Sequence, residues 1–431
     1  MDNKTGRKRG TMLKIYSKND KTIILDIETC IWARMETSFY EENKDKKEFW
    51  SFLYRKYFDN CSKNDHLVDT IYFAITKKCN LNCEFCAMSS NNNIDISDEI
   101  DIHILRKKLP ALLTPQIKKV VITGGEPFEN KQLFEILKLL ITYISKEKII
   151  LQTNALLLDK DKILKLKKYI GAIEISIENI VLELSLKKYM EKIFKIINEQ
   201  NIQLSLSYVV TENNMKYFKE GLELARQYNT FFLYRFAEPF GGGIKILEKF
   251  QAENTYKNTL KIELEVLDFI VKNQLWDYRM AEVEKGFLLP NTTCGAYADI
   301  LAIQPNGLIY PCINIQDNKF QIGNIKEDPL EELKELLKIT KKRERNIRYF
   351  NVEYKEKCQI CFYKYFCNGF CGAYESEEGK DMDLYKEYIC KIRQTYLYFE
   401  MFCVDNTYNF QEYIQKKKEY LLKCLQSGRK I

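Results

Sequence analysis

The sequence predicts an α/β protein built on an open, partial (β/α)6 barrel of the TIM type. Between residues 67 and 240, short apolar runs alternate with helical patterns. Such alternation is typical of a parallel sheet with right-handed crossovers. Polar residues follow successive strand candidates, and strand ends are where barrels of this kind carry their reactive groups. We therefore expect a functional site on one face of the barrel.

Six strand candidates define the barrel. In chain order they are Asp69–Ile75, Lys119–Thr123, Ile149–Thr153, Ile173–Ile177, Ile202–Val209 and Phe231–Phe236. Helical patterns lie between them, including residues 131–147, 159–170 and 186–200. Six strand–helix units of this kind would form the open barrel.

Composition narrows the class of protein. The chain has 431 residues, 45% of them hydrophobic, as in a globular protein of two to three domains. A net charge of +7 with mixed signs permits an acidic peptide partner and gives no nucleic-acid footprint. No stretch reaches the ~18 apolar residues of a membrane span, and the basic start lacks an apolar signal region. Fourteen cysteines then indicate metal–thiolate chemistry in a reducing cytoplasm rather than disulfides.

The first motif follows the first strand candidate. Cys79, Cys83 and Cys86 have the spacing C-x3-C-x2-C. Three thiolates cannot complete a tetrahedral zinc site, but they can hold three irons of a 4Fe–4S cube and leave the fourth iron open for chemistry. The alternatives are a partial zinc knuckle and a chance cluster.

The second motif follows the second strand candidate. Gly124, Gly125, Glu126 and Pro127 come directly after a β-branched run. The two glycines allow the backbone to approach a ligand closely, and Glu126 offers an acceptor to an ammonium group. The alternative interpretation is an ordinary turn after a strand.

Together the two motifs resemble the signature of the radical S-adenosylmethionine (SAM) enzymes. The resemblance implies that Cys79, Cys83 and Cys86 hold the cube, that Phe85 packs near the adenine, and that the Gly124–Pro127 turn holds the methionine amino group. It implies reductive cleavage of SAM to a 5′-deoxyadenosyl radical, which takes hydrogen from a substrate carbon. By position, further contacts to SAM are expected from Thr153, Asn154, Ser176 and Arg235. The family often has Asp-Gly after the fourth strand; this chain has Glu178-Asn179, so Glu178 receives no role.

A second cysteine field lies downstream. It comprises Cys294, Cys312, Cys358, Cys361, Cys367, Cys371 and Cys390. The run from Cys358 to Cys371 alone would suit a zinc ribbon. Behind a radical SAM core, the whole set resembles the SPASM domain, which holds two auxiliary clusters. Pro305-Asn306-Gly307 predicts a hairpin turn inside it.

The resemblance divides these seven cysteines into two sets. Cys358, Cys361, Cys367 and Cys390 would close one cube, and Cys294, Cys312 and Cys371 would hold the other. Some relatives have an eighth cysteine shortly before the first, but residues 286–293 contain none. The remaining ligand could be a substrate thiolate, water, a backbone or carboxylate oxygen, or one of four other cysteines. These four, Cys30, Cys61, Cys403 and Cys424, are expected to be buried small hydrophobes instead.

The predicted organisation has five parts. Residues 1–66 form an N-terminal segment, which faintly resembles the winged-helix domain that grips leader peptides and could equally be a cap on the barrel. Residues 67–240 form the radical SAM core, residues 241–290 a linker, residues 291–395 the SPASM domain, and residues 396–431 a C-terminal helix.

The resemblance implies an oxidoreductase that matures a small precursor peptide, with SAM and three 4Fe–4S clusters as cofactors. We expect a thioether cross-link from a peptide Cys and an electron donor such as flavodoxin or ferredoxin. A C–C cross-linking maturase is an alternative. A formylglycine-generating sulfatase maturase typically carries an Asp soon after the equivalent of Cys312, where this chain has Ile313, Asn314 and Ile315. A non-catalytic Fe–S scaffold is opposed by the intact Gly-Gly-Glu-Pro motif.

Overall fold

The computed structural model describes residues 12–58, 67–284, 286–296, 298–338, 344–376, 380–405 and 407–427. Within these ranges, twelve strands form an antiparallel sheet, β1-β2-β3, and a sheet of order β12-β11-β10-β4-β5-β6-β7-β8-β9. The strands are β1 Leu13–Lys18, β2 Lys21–Asp26, β3 Ile31–Glu36, β4 Thr70–Ala74, β5 Lys119–Thr123, β6 Ile149–Thr153, β7 Ala172–Ser176, β8 Gln203–Val210, β9 Phe231–Phe236, β10 Ile300–Ile303, β11 Leu308–Tyr310 and β12 Gly323–Asn324.

The six predicted barrel strands are confirmed. Strands β4 to β9 follow one another in sequence order, and each pairs in parallel with the next. The bounds of β5, β6 and β9 match the prediction, and those of β4, β7 and β8 differ by one residue at each end. In β5, Val120, Val121 and Ile122 are buried on both faces, as expected for a parallel sheet covered by helices, whereas buried and partly exposed residues alternate along β6 and β7.

Helices connect these strands and extend beyond them. The α-helices are Thr37–Asn43, Lys47–Leu53, Ile102–Lys108, Leu133–Leu140, Lys160–Leu166, Leu184–Glu199, Phe218–Tyr228, Ala252–Asn273, Arg279–Glu282, Leu330–Glu335, Ile347–Phe350, Glu356–Gln359, Lys364–Cys367, Lys380–Phe402 and Phe410–Ser427. None of these described helices is both long and apolar enough to cross a bilayer. The helix predicted over 131–147 stops at Leu140, because the Thr142 hydroxyl donates to the Leu139 carbonyl and the chain turns.

The hairpin predicted in the second cysteine field is confirmed, and it extends the barrel sheet. β10 and β11 are antiparallel around Gly307, whose positive φ of 92° favours glycine. β10 also pairs in parallel with β4, the first barrel strand. The pairing of Ile303 with Phe73 brings the turn after β10 beside the loop that follows β4. This long-range pairing leaves no local signal in the sequence.

The regions predicted as a linker and a single C-terminal helix have more structure than expected. Residues 241–290 include the 22-residue helix Ala252–Asn273, which packs against both C-terminal helices, Lys380–Phe402 and Phe410–Ser427. The first of these helices carries Cys390 and ends at Phe402, and a second helix begins at Phe410. Uniform composition through these regions concealed the boundaries.

The N-terminal sheet packs on the rest of the protein. Strand β2 is buried on both faces, with Ile24 in a small local core and Ile23 and Leu25 in the main core. Trp32 donates its indole N–H to the Leu288 carbonyl at 3.2 Å. β3 precedes the two helices Thr37–Asn43 and Lys47–Leu53, so the described part of this segment has three strands followed by helices.

Candidate functional site

The loop after β4 wraps the first three cysteines. The Cys79 amide donates to Asn91 O at 3.1 Å, and the Cys86 amide donates to Cys83 O at 3.1 Å. Backbone amides also point at sulfur, since Leu81 N lies 3.4 Å from Cys79 Sγ and Ser90 N lies 3.4 Å from Cys86 Sγ. Amide donors stabilise negative charge on sulfur, so the loop is suited to hold thiolates. We call Cys79, Cys83 and Cys86 the loop cysteines.

Each loop cysteine lies within electrostatic range of another. Burial, and then the Glu178 carboxylate and the other two sulfurs, raise the pKa of Cys83 to about 11. Burial is also the largest cause of the raised pKa of Cys79. Such thiols become good ligands when a cation offsets their charge, and an iron–sulfur cluster does this. The donor set therefore fits a cube at this loop.

Three further cysteines gather at the junction of the SPASM region and the barrel. Burial, followed by the neighbouring sulfurs, raises the pKa of Cys371 to about 12, and burial raises that of Cys312 to about 11. Cys294 and the Glu238 carboxylate each contribute to the raised pKa of both thiols. We call Cys294, Cys312 and Cys371 the first auxiliary group.

Glu238 is held beside the first auxiliary group by a tyrosine. The Tyr374 hydroxyl donates to Glu238 Oε1 at 2.9 Å, and Tyr374 stacks on Phe240 with ring centroids 5.1 Å apart. Tyr374 follows Cys371 by three residues, so the carboxylate and the thiol are positioned by the same segment.

The remaining four cysteines of the ten form a separate set. Burial is the largest cause that raises the pKa of Cys358 and of Cys390 to about 11, and sulfurs of the same set add to it. Cys361 N donates to Cys358 O at 3.0 Å in a tight turn. We call Cys358, Cys361, Cys367 and Cys390 the second auxiliary group. Within each of the three sets, sulfurs thus act on one another's pKa, and the binding of a cluster by each set stays a prediction.

Among the described His, Cys, Asp and Glu side chains, no three are close enough to bind a single metal ion. A cube spreads its ligands more widely, because each cysteine binds a different iron. Cys30, Cys403 and Cys424 are half-buried rather than buried, which corrects the expectation of fully enclosed thiols; Cys61 lies outside the described residues.

The Gly-Gly-Glu-Pro turn packs against the chain that leads to Cys79. A Cβ on Gly124 would lie 2.3 Å from Thr76 O, and one on Gly125 would lie 2.2 Å from Lys78 O. The Gly125 amide donates to Thr76 O at 2.8 Å. The close approach that requires these glycines is thus to the protein's own backbone, whereas the sequence suggested approach to a ligand.

Glu126 has no exposed surface, which contradicts the expectation that its carboxylate meets an ammonium directly. Oε1 accepts from Thr153 Oγ1 at 2.7 Å, and Oε2 accepts from Asn154 N at 2.8 Å. Burial raises the pKa of Glu126 to about 7. Pro127, also buried, opens the turn that follows. The carboxylate joins the ends of β5 and β6.

The predicted SAM contacts divide into accessible and inaccessible residues. Thr153 is buried, with its hydroxyl engaged by Glu126, so a contact to SAM is not supported. Asn154 donates to Asn80 Oδ1 at 2.8 Å beside Cys79. Ser176 Oγ lies 3.3 Å from Ser207 Oγ, and Arg235 is exposed near the end of β9. Asn154, Ser176 and Arg235 therefore share the carboxyl-terminal face of the barrel.

Glu178 is the functional candidate that sequence reasoning left without a role. Its buried carboxylate accepts from Val209 N, and burial raises its pKa to about 7. The Glu178 carboxylate also raises the pKa of Cys83, whereas the positive charge of Arg235 lowers the pKa of Glu178. Its place after the fourth strand was the one available signal.

A cavity of about 380 Å³ opens next to the cysteine loop. Phe85 and Glu84 line one side, and Tyr385 and Tyr388 line the other. Its size is within the usual range of small-molecule sites, ~300–1,000 Å³. The half-buried Phe85 is therefore accessible to a ligand at this end of the barrel.

Two family models match the chain. Residues 73–229 match the radical SAM superfamily, and residues 294–362 match the SPASM iron–sulfur cluster-binding domain. These matches agree with the barrel, the cysteine loop and the downstream cysteine groups. The chain is a SAM-dependent iron–sulfur enzyme of the radical SAM class with a C-terminal SPASM domain.

Known proteins with similar sequences include a GTP 3′,8-cyclase of Helicobacter pylori, 26% identical over 66% of this chain and 92% of the relative. The subtilosin biosynthesis protein AlbA of Bacillus subtilis is 25% identical over 61% of this chain and 58% of its own length.

Solved structures share the fold. SuiB of Streptococcus suis, bound to S-adenosylmethionine, has a TM-score of 0.55 and 18% identity, covering 86% of this chain and 96% of SuiB. anSMEcpe with bound AdoMet and a peptide has a TM-score of 0.54 and 19% identity, covering 84% of this chain and 99% of that protein.

Proposed function

We propose that this enzyme uses SAM and three 4Fe–4S clusters to form a thioether cross-link in a ribosomally made precursor peptide. The observation that carries the proposal is that the sulfurs of the loop cysteines, of the first auxiliary group and of the second auxiliary group each act on the pKa of other sulfurs in their own set. The loop cysteines would hold the cluster that meets SAM. The two auxiliary groups would hold the other two clusters.

The barrel face supplies the groups that orient SAM. Phe85 borders the cavity of about 380 Å³, and Asn154, Ser176 and Arg235 present polar atoms at strand ends. Glu126 positions this site by fixing the turn at Gly124, Gly125 and Pro127. When bound, SAM and the reduced cube supply the one-electron chemistry that removes a hydrogen atom from an unactivated carbon.

The first auxiliary group would bind the substrate thiol. It has three cysteines, and residues 286–293 add no fourth. A thiol bound to a metal is deprotonated, which would activate the peptide Cys next to the carbon radical. Glu238 is the alternative ligand, because its carboxylate already lies near Cys312 and Cys371.

The comparisons support a peptide substrate. SuiB has been solved bound to its precursor peptide SuiA, anSMEcpe has been solved with peptides, and AlbA takes part in bacteriocin biosynthesis. Residues 1–66 would bind the leader of the peptide, residues 67–240 would act as the core, and residues 291–395 would hold the auxiliary clusters. A flavodoxin or ferredoxin would supply electrons.

Three other activities would give different products. A formylglycine-generating enzyme would leave an aldehyde, a C–C cross-linking maturase would leave the peptide thiol free, and a GTP cyclase would leave the peptide unchanged. Thioether formation removes two hydrogens: one atom goes to the 5′-deoxyadenosyl group, and a proton and an electron leave with formation of the S–C bond. The electron would pass to an auxiliary cluster.

Anaerobic co-expression with a Cys-containing peptide encoded beside the gene tests the proposal by mass spectrometry. We expect a product lighter by two hydrogens that does not react with thiol-alkylating reagents. A product that is still alkylated, or that reacts with hydrazine, contradicts the thioether assignment.

A further inference from the structure

A second cavity lies outside the proposed SAM site, where the hairpin of the SPASM region meets the loop before the Ile102–Lys108 helix. Its volume is about 180 Å³, and its lining includes Lys77, Glu99, Gln304 and Asn306. Ile100 N donates to Pro305 O at 2.8 Å, which fixes the two walls together. The cavity is smaller than the ~300 Å³ of ordinary cofactor sites, so it suits a single side chain or chain end.

Gln304 lines this cavity and has a side-chain acceptor without a partner among the described residues. The residue is 5% exposed, and Oε1 has no hydrogen-bond partner among the described residues. Its Nε2 donates to Ile313 O at 3.4 Å, so only the donor end of the amide is engaged. A buried acceptor without a partner destabilises the folded state. A ligand that donates a hydrogen bond would remove that cost.

Glu99 offers a second free acceptor. Its Oε1 accepts from Thr76 Oγ1 at 2.7 Å and from Lys77 N at 2.9 Å, and no described residue donates to Oε2. The other acids are already engaged, since Ser97 binds Asp95, and Lys326 lies 2.6 Å from Asp98. Lys77 is the one cation among the described residues that line the cavity.

We propose that this cavity binds a primary ammonium group, through Glu99 Oε2 and Gln304 Oε1. The sources with this chemistry are a lysine side chain and a peptide amino terminus. The positive charge of Lys77 repels such a cation and so weakens its binding. That the ammonium belongs to the substrate peptide rests on the proposed function; the binding itself does not.

The probes are n-butylammonium, which mimics lysine, and alaninamide cation, which mimics an amino terminus. n-Butanol and acetate serve as matched controls, and binding to the cluster-loaded full-length protein is followed by ligand-observed NMR. We expect saturable binding of one amine and no comparable binding of butanol or acetate. The amine that binds more tightly identifies the source.

Variants test the residues. Glu99→Gln should weaken amine binding by roughly tenfold to a hundredfold, the usual worth of a hydrogen bond to a charged group. Lys77→Met should strengthen it, and Glu327→Gln, an exposed acid outside the lining, should leave it unchanged. Gln304→Leu should also weaken amine binding. The iron content of this variant is the control for folding.

Equal binding of butanol, tighter binding of acetate, or unchanged affinity in Glu99→Gln would overturn the assignment. Because amine binding is measured without turnover, its failure is separable from a failure to modify peptide.

Discussion

The Thr153 hydroxyl donates to the fully buried Glu126 carboxylate at 2.7 Å and so ties the end of β6 to the turn after β5. Asn154 N donates to the other carboxylate oxygen at 2.8 Å. The acid of the motif expected to contact SAM thus fixes the backbone at the ends of β5 and β6. Glu126 therefore acts by positioning the turn, and replacing its hydrogen-bond partner Thr153 should have the same effect as replacing Glu126.

Thr153→Val should therefore reproduce the effect of Glu126→Gln. Each change leaves a buried polar partner unsatisfied, which costs ~1–3 kcal/mol and should loosen the turn. We expect SAM to bind roughly tenfold to a hundredfold more weakly in both variants, with iron content unchanged. Equilibrium binding of SAM measures this, with Ser205→Ala on β8 as a hydroxyl control. If only Glu126→Gln weakens binding, the carboxylate contacts SAM itself.

The N-terminal segment presents apolar side chains that a leader peptide could cover. Phe39 and Phe52 are about half exposed on the two helices after β3. Deleting the segment would remove Ile23 and Leu25 from the main core and expose the residues they cover, so point substitutions are the sharper test.

The double variant Phe39→Ser, Phe52→Ser should modify peptide with a KM raised roughly tenfold or more, because two buried aromatic contacts would be lost. SAM cleavage without peptide should continue at the normal rate. Leu330→Ser, an equally exposed apolar residue elsewhere, is the control. Normal KM values in the double variant would make the segment a structural cap.

Lys417 neutralises two buried acids that join the C-terminal helix to the barrel. Its ammonium lies 2.6 Å from Glu263 and 3.1 Å from Glu284. Burial, and then repulsion by Glu263, raise the pKa of Glu284 to about 7. Because this pKa is raised, the contribution of Glu284 to stability is greatest below pH ~4.5 and declines as pH rises to about 7.

Lys417→Met should destabilise the protein by about 3–5 kcal/mol at pH 8, since it leaves buried charge without a counter-ion. The loss should be smaller at pH 6, where the acids can take up protons. Thermal unfolding at both pH values measures this. Lys418→Met removes a partly exposed pair with Asp268 and should cost less than about 1 kcal/mol. A loss that does not depend on pH would contradict this assignment of charge.

Ligation of a substrate thiol to the first auxiliary group predicts a spectroscopic change. Under anaerobic conditions, peptide with its acceptor Cys should alter the electron paramagnetic resonance of that cluster, and peptide with Ser in its place should not. The change should disappear in Cys312→Ala. Identical spectra with both peptides, together with normal thioether product, would exclude thiol ligation. A spectrum altered by Glu238→Ala without peptide would identify the carboxylate as the resting ligand.

The barrel was predictable because its signals are local. β-Branched runs mark β5 and β6 and an aromatic run marks β9, each at its observed bounds, whereas the division of the downstream cysteines into two sets rested on the resemblance to the SPASM domain. The pairing of β10 with β4 was not predictable, since it joins strands more than 200 residues apart. For the same reason Thr153 was assigned to SAM: its partner, Glu126, is 27 residues away. The sequence contains no signal for Gln304, because only the folded structure shows that its buried Oε1 has no hydrogen-bond partner among the described residues.

Iron content and SAM cleavage, measured together, test the central claim most directly. Anaerobically reconstituted protein should hold about twelve irons per chain, four for each of three cubes. The triple variant Cys79→Ala, Cys83→Ala, Cys86→Ala should hold about eight and release no 5′-deoxyadenosine. A matched triple variant of the second auxiliary group, at Cys358, Cys361 and Cys367, should also lose about four irons but still cleave SAM. Continued release of 5′-deoxyadenosine by the loop variant would contradict the account.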